Sequence, residues 1–177
     1  MANRLLKNRD ELEALFGELA QELIQMGISA EIVMVGGAWM LWHSHRLSTR
    51  DVDSARKFDL GLRQAVDRVG TRHELPERWL NDDAAPFWPS TASFDDCELI
   101  YETPSLCVRS PDPNVIFVMK LYRADPQDRE DLVVLWPLCD FSDADDAANT
   151  FRLAYPHAPE DEYLADYIAD VAHDALP

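Results

Sequence analysis

The sequence predicts a mixed α/β (α+β) fold: a small mixed β-sheet backed by helices, with a helical C-terminal region. Three observations predict it. Short apolar runs rich in β-branched residues are interleaved with amphipathic stretches as far as Arg109, glycine and proline punctuate them, and beyond Pro126 only helical patterns remain. With 177 residues, 47% hydrophobic and 10% aromatic, the chain can bury a complete core. No apolar run approaches the roughly 18 residues needed to cross a bilayer.

The elements follow in order. Leu12, Leu15, Phe16, Leu19, Leu23 and Met26 recur at helical spacing, so Asp10–Met26 reads as an amphipathic helix stopped by Gly27. Glu31–Val35 is a buried strand running into Gly36-Gly37, and Ala38–Trp42 has helical composition. Asp51-Val52-Asp53 starts a second strand, and a helix follows from Phe58 with Asp59 as its cap and Leu62, Ala65, Val66 and Val69 on one stripe. Pro76 leads into a helical turn over Glu77–Asp82, then a loop-like stretch over residues 84–96. Cys97–Tyr101 and Ser105–Arg109 form a hairpin through Thr103-Pro104. Ser110-Pro-Asp-Pro signals a helix start for Asn114–Tyr122, and further helices cover Gln127–Leu135, Asp143–Leu153 and Glu160–Ala172. The expected organisation is one domain over 1–137 and an acidic helical extension over 138–177 packed on it.

Charge and cysteine usage narrow the function classes. Against 16 Lys+Arg stand 33 Asp+Glu, a net charge of −17, which argues against a general nucleic-acid binder. The distribution is uneven. Residues 43–73 carry seven basic side chains (Arg46, Arg50, Arg56, Lys57, Arg63, Arg68, Arg72) and four acids, whereas residues 125–177 carry fourteen acids and two arginines. The acidic tail reads first as a solubilising surface. Cys97, Cys107 and Cys139 make no paired framework and the five histidines are scattered, so reduced structural thiols are expected and a zinc site is not. The charged opening, MANRLLKNRDELEALF, lacks the apolar stretch of a leader, and a cytoplasmic location without membrane partners is expected.

The chemistry concentrates between Val35 and Asp53. A glycine pair between a strand and a helix bares backbone N–H groups to an approaching anion such as phosphate. Asp51 and Asp53, one residue apart on a strand, point to the same face, where two carboxylates suit Mg²⁺, which completes its shell with water and substrate phosphates. Together these are the parts of metal-assisted phosphoryl or nucleotidyl transfer. The combination of Gly36-Gly37, thirteen intervening residues and Asp51-Val52-Asp53 resembles the signature of the DNA polymerase beta-like nucleotidyltransferase superfamily.

A second segment, from Val118 through Lys120, Arg123, Asp128, Arg129 and Asp131 to Leu132, is similar to the helix motif of minimal nucleotidyltransferases related to abortive-infection (type IV toxin-antitoxin) toxins. The resemblance covers roughly residues 10–135. It implies a sheet of the nucleotidyltransferase type. It also implies an NTP bound at Gly36, Gly37, Thr49, Lys120, Arg123 and Arg129, with Mg²⁺ on Asp51 and Asp53 and Asp131 at the catalytic centre as general base. Lys120 and Asp131 would then converge near the Asp51–Asp53 strand. Lys120 interrupts the apolar stripe Val115, Val118, Met119, Tyr122, so it needs an anionic partner, and a purely structural ion pair answers that need equally well.

Three departures from the pattern stand out. Ser54 follows Asp53 where an apolar residue is usual, which predicts a short strand; Glu98, with Asp82 behind it, is the best third carboxylate by position; and the net charge fits a long polynucleotide acceptor poorly. The leading expectation is an Mg²⁺-dependent nucleotidyltransferase moving an NMP from an NTP to an acceptor hydroxyl. The resemblance implies a tRNA end as acceptor and a toxin-antitoxin setting with a cognate partner, with protein and small-molecule acceptors equally open. The alternative is a non-catalytic interaction or nucleotide-sensing protein, antitoxin-like, that keeps the fold. A third reading, a ribonuclease-like or phosphate-binding protein, would use residues 43–73.

Overall fold

The computed structural model describes residues 4–176; Met1–Asn3, which open the charged N-terminal stretch read above, lie outside them. Seven α-helices and five strands occur among the described residues: α1 Arg9–Met26, β1 Ala30–Val35, α2 Gly36–Trp42, β2 Val52–Ser54, α3 Leu60–Arg72, β3 Leu80–Asn81, β4 Glu98–Glu102, β5 Leu106–Ser110, α4 Pro113–Arg123, α5 Asp128–Leu135, α6 Ala144–Ala154 and α7 Leu164–Asp174. They group into two compact units, one holding the chain up to Pro86 with Cys97–Pro111, the other holding Phe87–Asp96 with Asp112 onward. The chain passes between them after Pro86, Asp96 and Pro111.

The first unit is a five-stranded mixed sheet in the order β3-β2-β1-β5-β4, with α1, α2 and α3. β1 and β5 are parallel, from Ala30 opposite Leu106 to Val33 opposite Arg109. β1 and β2 are antiparallel, and β4–β5 is the expected hairpin with an irregularity between Leu99 and Tyr101. The core lies between the sheet and the helices: Leu12, Phe16, Leu19 and Leu23 of α1 and Leu62, Val66 and Val69 of α3 meet Ile32, Met34, Leu106 and Val108 of the sheet. Local chemistry sets the helix ends. Asn8 accepts from Glu11 N at the start of α1, Gly27 at φ +68° ends it, and Asp59 caps α3 through Leu62 N.

Two sequence expectations are corrected. Glu77–Asp82 is not a helical turn. Trp79 is buried, donates its indole N–H to Val66 O and takes Val52 N on its own carbonyl, which draws Leu80–Asn81 into the sheet as a two-residue strand parallel to β2. The last helix starts at Leu164 rather than Glu160, because Asp161 spends its side chain on Tyr163 N and its carbonyl on Leu164 N, a turn that follows Pro159.

The second unit is helical. Asp112 caps α4 with Pro113 in its first turn, as the Ser-Pro-Asp-Pro signal predicts, and Asp143 caps α6. Aromatic contacts link its elements. Tyr122 stacks on Tyr155 at 4.2 Å, with Phe151 and Phe87 beside them, and Phe117 packs on Trp136 and Phe141. Burial raises the Tyr155 phenol, which donates to Phe87 O.

Helices α1 and α3 are clamped by charge as well as by packing. The Glu22 carboxylate is 3% exposed and takes Arg68 Nη1 at 2.9 Å and Arg72 Nη2 at 2.6 Å. The hydrogen bond from Arg68, then that from Arg72, holds Glu22 below the usual carboxylate range. A carboxylate with a depressed folded-state pKa contributes stability that is complete above its unfolded pKa and is lost as pH falls through the folded one. Thermal stability is therefore expected to fall with acidification below about pH 4.5, the ordinary glutamate value. Melting curves from pH 7 to pH 3 on the wild type and on Glu22→Gln test this, the variant showing the shallower dependence.

Candidate functional site

The candidate site is built where β1 passes into α2. Gly36 sits at φ +66°, a left-handed conformation that side chains resist, and so lets the chain turn directly from strand to helix. Its missing side chain has a second use. A Cβ on Gly36 would stand 2.7 Å from Asp53 Oδ2, so the carboxylate occupies the space the glycine leaves. Asp53 is put there by register: it lies opposite Val35, the residue before Gly36, in the antiparallel pair of β1 and β2.

Gly37 is crowded from another direction. A Cβ there would meet Arg46 Nη1 and Thr49 Oγ1, each at 2.7 Å. Thr49 is buried, its hydroxyl donates to Asp51 O at 3.1 Å, and its backbone exchanges two hydrogen bonds with Leu6. The N-terminal segment thus pins the connector that delivers Asp51. Arg46 is exposed. It was counted in the sequence only as part of a basic stretch; the signal that singles it out is its place between the glycine and aspartate pairs.

Asp51 and Asp53 are half-buried on either side of the buried Val52. β2 is as short as Ser54 predicts: Ser54 is fully buried and its hydroxyl takes Val33 N and Arg56 N and donates to Arg56 O, which ends the strand. Among the described residues no three Asp, Glu, His or Cys side chains gather as a metal cluster, so neither Glu98 nor Asp82 completes one with the Asp pair. Asp82 is buried and takes Arg63 Nη2 at 2.7 Å and Phe58 N at 3.0 Å. Glu98 opens β4, exposed and opposite Ser110. Directly across from Asp53 on β3 stands an amide, Asn81, whose Oδ1 accepts from Asp83 N. The pair alone still suits a cation that takes one or two carboxylates and completes its shell with substrate phosphates and water.

The other end of α2 is closed by His43. Its Nε2 lies 2.9 Å from Ser110 Oγ, its ring packs on Trp39, and burial, then His45, lowers its pKa, so it is neutral at pH 7. Among the cysteines, burial pushes the Cys139 thiol up to about 12, and no disulfide forms.

The remaining expected residues belong to the second unit. Lys120 of α4 and Asp131 of α5 do meet: Lys120 Nζ donates to Asp131 Oδ2 at 2.7 Å and to Asp128 Oδ1 at 2.8 Å. All three are buried, with the one lysine shared between the two aspartates. Asp128 Oδ2 accepts no hydrogen bond and lies 3.7 Å from Arg123 Nε. Asp128 was not singled out in the sequence, although a lysine in an apolar stripe calls for such a partner. Arg123 also pairs with Asp125, and Arg129 reaches Asp174 at 2.7 Å on the surface.

Removing one member of a buried ion cluster strands its partners without compensation, at a cost of about 3–5 kcal/mol. Lys120→Met should accordingly lower the unfolding free energy by about 3 kcal/mol in urea titrations. The triple variant Lys120→Met, Asp128→Leu, Asp131→Leu should recover most of that loss, since a well-packed apolar set replaces buried charges without penalty.

A family model described as a nucleotidyltransferase of unknown function (DUF6036) matches residues 10–148. The match takes in the glycine pair, the aspartate pair and the Lys120–Asp131 segment, and stops within α6. No curated protein and no solved structure matches the chain. No helix among the described residues is long and apolar enough to cross a membrane.

Proposed function

The chain belongs to this family of nucleotidyltransferases, whose match covers residues 10–148 of 177, and from that premise we propose that it transfers an NMP from an NTP to an acceptor hydroxyl. The observation that carries the reading is the joint between Gly36 and Asp53, where the carboxylate lies 2.7 Å from the absent Cβ at the turn from strand to helix. In this reading the phosphates of the nucleotide lie over Gly36-Gly37. Asp51 and Asp53 hold Mg²⁺, which when bound neutralises charge on the transferring group and activates the attacking oxygen. The acceptor oxygen bonds the α-phosphorus, the bond from that phosphorus to the bridging oxygen breaks, and its electron pair leaves with pyrophosphate. The acceptor's proton goes to a carboxylate, the role the resemblance implies for Asp131.

Thr49 serves the reaction by holding the connector, through Leu6 on one side and the Asp51 carbonyl on the other. The phosphate roles of Lys120, Arg123 and Arg129 rest on the resemblance. So do the tRNA 3′ end as acceptor and the toxin-antitoxin setting with a cognate partner; the net charge of −17 favours an acceptor that presents a short end or a single hydroxyl rather than a long polyanion.

The decisive assay incubates the protein with each α-³²P NTP, Mg²⁺ and total tRNA or lysate, and follows label transfer. Asp51→Asn and Asp53→Asn should each abolish divalent-dependent transfer while leaving the protein folded, as melting curves check. Normal turnover in either variant counts against the pair. Assayed well below their melting points, Lys120→Ala should raise the NTP concentration required, and Asp131→Ala should lower the maximal rate more than NTP affinity. Unchanged kinetics in both would leave the triad a purely structural one.

One observation favours a second reading, a nucleotide sensor or antitoxin-like partner without turnover. Asn81 stands across from Asp53, Asp82 is engaged by Arg63, and no third carboxylate joins the pair among the described residues. Saturable NTP binding in calorimetry with no label transfer to any acceptor supports that reading over the first.

A further inference from the structure

The glycine pair is bracketed by opposite charges. Asp53 Oδ2 fills the space beside Gly36 and Arg46 Nη1 fills the space beside Gly37, each 2.7 Å from where a Cβ would stand. We propose that Arg46 is the residue that recognises the non-transferred phosphates of the nucleotide, and so selects a triphosphate over a monophosphate. This rests on the reading of the site given above.

Position is the first argument. The Asp51–Asp53 pair marks the reacting end of the turn. Arg46 lies one residue further along the glycine backbone, where the chain of phosphates continues when the α-phosphate is held at the aspartates. A guanidinium is a planar fork of five donors that matches phosphate oxygens two at a time, so one face of it can rest on the Gly37 backbone while its edge meets the ligand. Any side chain at 37 would displace it, which gives the second glycine a purpose that a tight turn alone does not require.

Preorganisation is the second. The connector bearing Arg46 is tied down on both sides. His45 N bonds Met40 O at 2.8 Å behind a left-handed Ser44 at φ +64°, and Thr49 exchanges backbone bonds of 2.8 and 2.9 Å with Leu6. The arginine backbone is therefore held before ligand arrives, with the residue exposed at the surface.

Charge is the third. In a chain of net charge −17, a triphosphate approaching two carboxylates meets repulsion that a nearby cation offsets. As the α-phosphorus bond breaks, negative charge grows on the departing pyrophosphate, and a guanidinium placed beside Gly37 would stabilise that charge more than it stabilises the bound substrate.

Calorimetry with Mg²⁺ and the α,β-methylene analogues of ATP, CTP, GTP and UTP, which cannot turn over, tests this beside the matching NMPs. Arg46→Ala should weaken binding of the preferred analogue about tenfold or more and leave NMP binding unchanged, as expected for loss of a charge-assisted contact. Arg46→Lys should recover part of the loss. Arg50→Ala, which removes the same charge from the same connector, should bind within about twofold of wild type. Melting curves accompany each variant, and Arg46→Gln takes the place of Arg46→Ala should the latter not fold. A wild type that binds an analogue while Arg46→Ala binds it equally, or while Arg50→Ala loses as much, overturns this inference alone. A wild type that binds none of the four overturns the nucleotide reading itself, and this inference with it.

Discussion

The antiparallel pairing of β1 with β2 is confined to Met34–Ser54 and Val35–Asp53, and it sets Asp53 against Gly36. A slip of one residue would turn Asp53 away from Gly36 and bring Val52 into its place, because side chains alternate along a strand. The register is held from both ends. Val52 is fully buried in the core, and the buried Ser54 hydroxyl takes the Val33 amide. On the far side β3 adds only two residues, fastened by Val52 N to Trp79 O at 2.7 Å. Asp53 thus stands on a short strand, with Asp51 just before it, held by its neighbours rather than by its own length.

The protein manages charge differently in its two units. In the first, the buried Glu22 is answered by two arginines on an adjacent helix, and the buried Asp82 by Arg63, so acids in low dielectric are compensated by cations that stay partly in water. In the second, a single lysine is shared by two buried aspartates. A shared ammonium fixes α4 against α5 through direction as well as attraction, since two of its three donors are committed, to Asp128 and Asp131. Elsewhere in that unit apolar and aromatic packing, which has no such directionality, is supplemented by the Tyr155–Phe87 hydrogen bond and the Arg129–Asp174 ion pair. Polar specificity placed in an otherwise greasy interior explains how a strongly acidic segment can still pack in one way.

What the sequence made legible follows from which signals are local. Strand, glycine pair, helix and aspartate pair lie within about twenty residues, and spacing alone carries them. Lys120 was legible as a cation requiring an anion, but its partner was not: Asp128 and Asp131 entered only through the family motif, because Pro126 breaks the helical register and nothing periodic links position 120 to either of them. β3 was illegible for a different reason. Two residues have no periodicity, and Glu77–Asp82 taken alone favours a turn, so burial of Trp79 decides a matter that local preference decides otherwise. Arg46 was counted but not weighed, since only the closing of the connector onto Leu6 and Met40 brings it back to Gly37.

The glycines illustrate how one residue type serves two constraints at adjacent positions. At Gly36 the backbone itself is the demand, because φ is +66° and any side chain would be strained as well as opposed by Asp53. At Gly37 the backbone lies outside the left-handed region, so an alanine there would be conformationally acceptable and is opposed only by what surrounds it, the Arg46 guanidinium and the Thr49 hydroxyl. The first glycine is thus needed to make the turn, and the second to let side chains from a distant connector close over it. A turn under the first constraint alone would be a fold element. Under both, it is a surface on which an anionic carboxylate and a cationic guanidinium are held a residue apart, and that spacing of charge is what a polyphosphate with a reacting end and a leaving end requires.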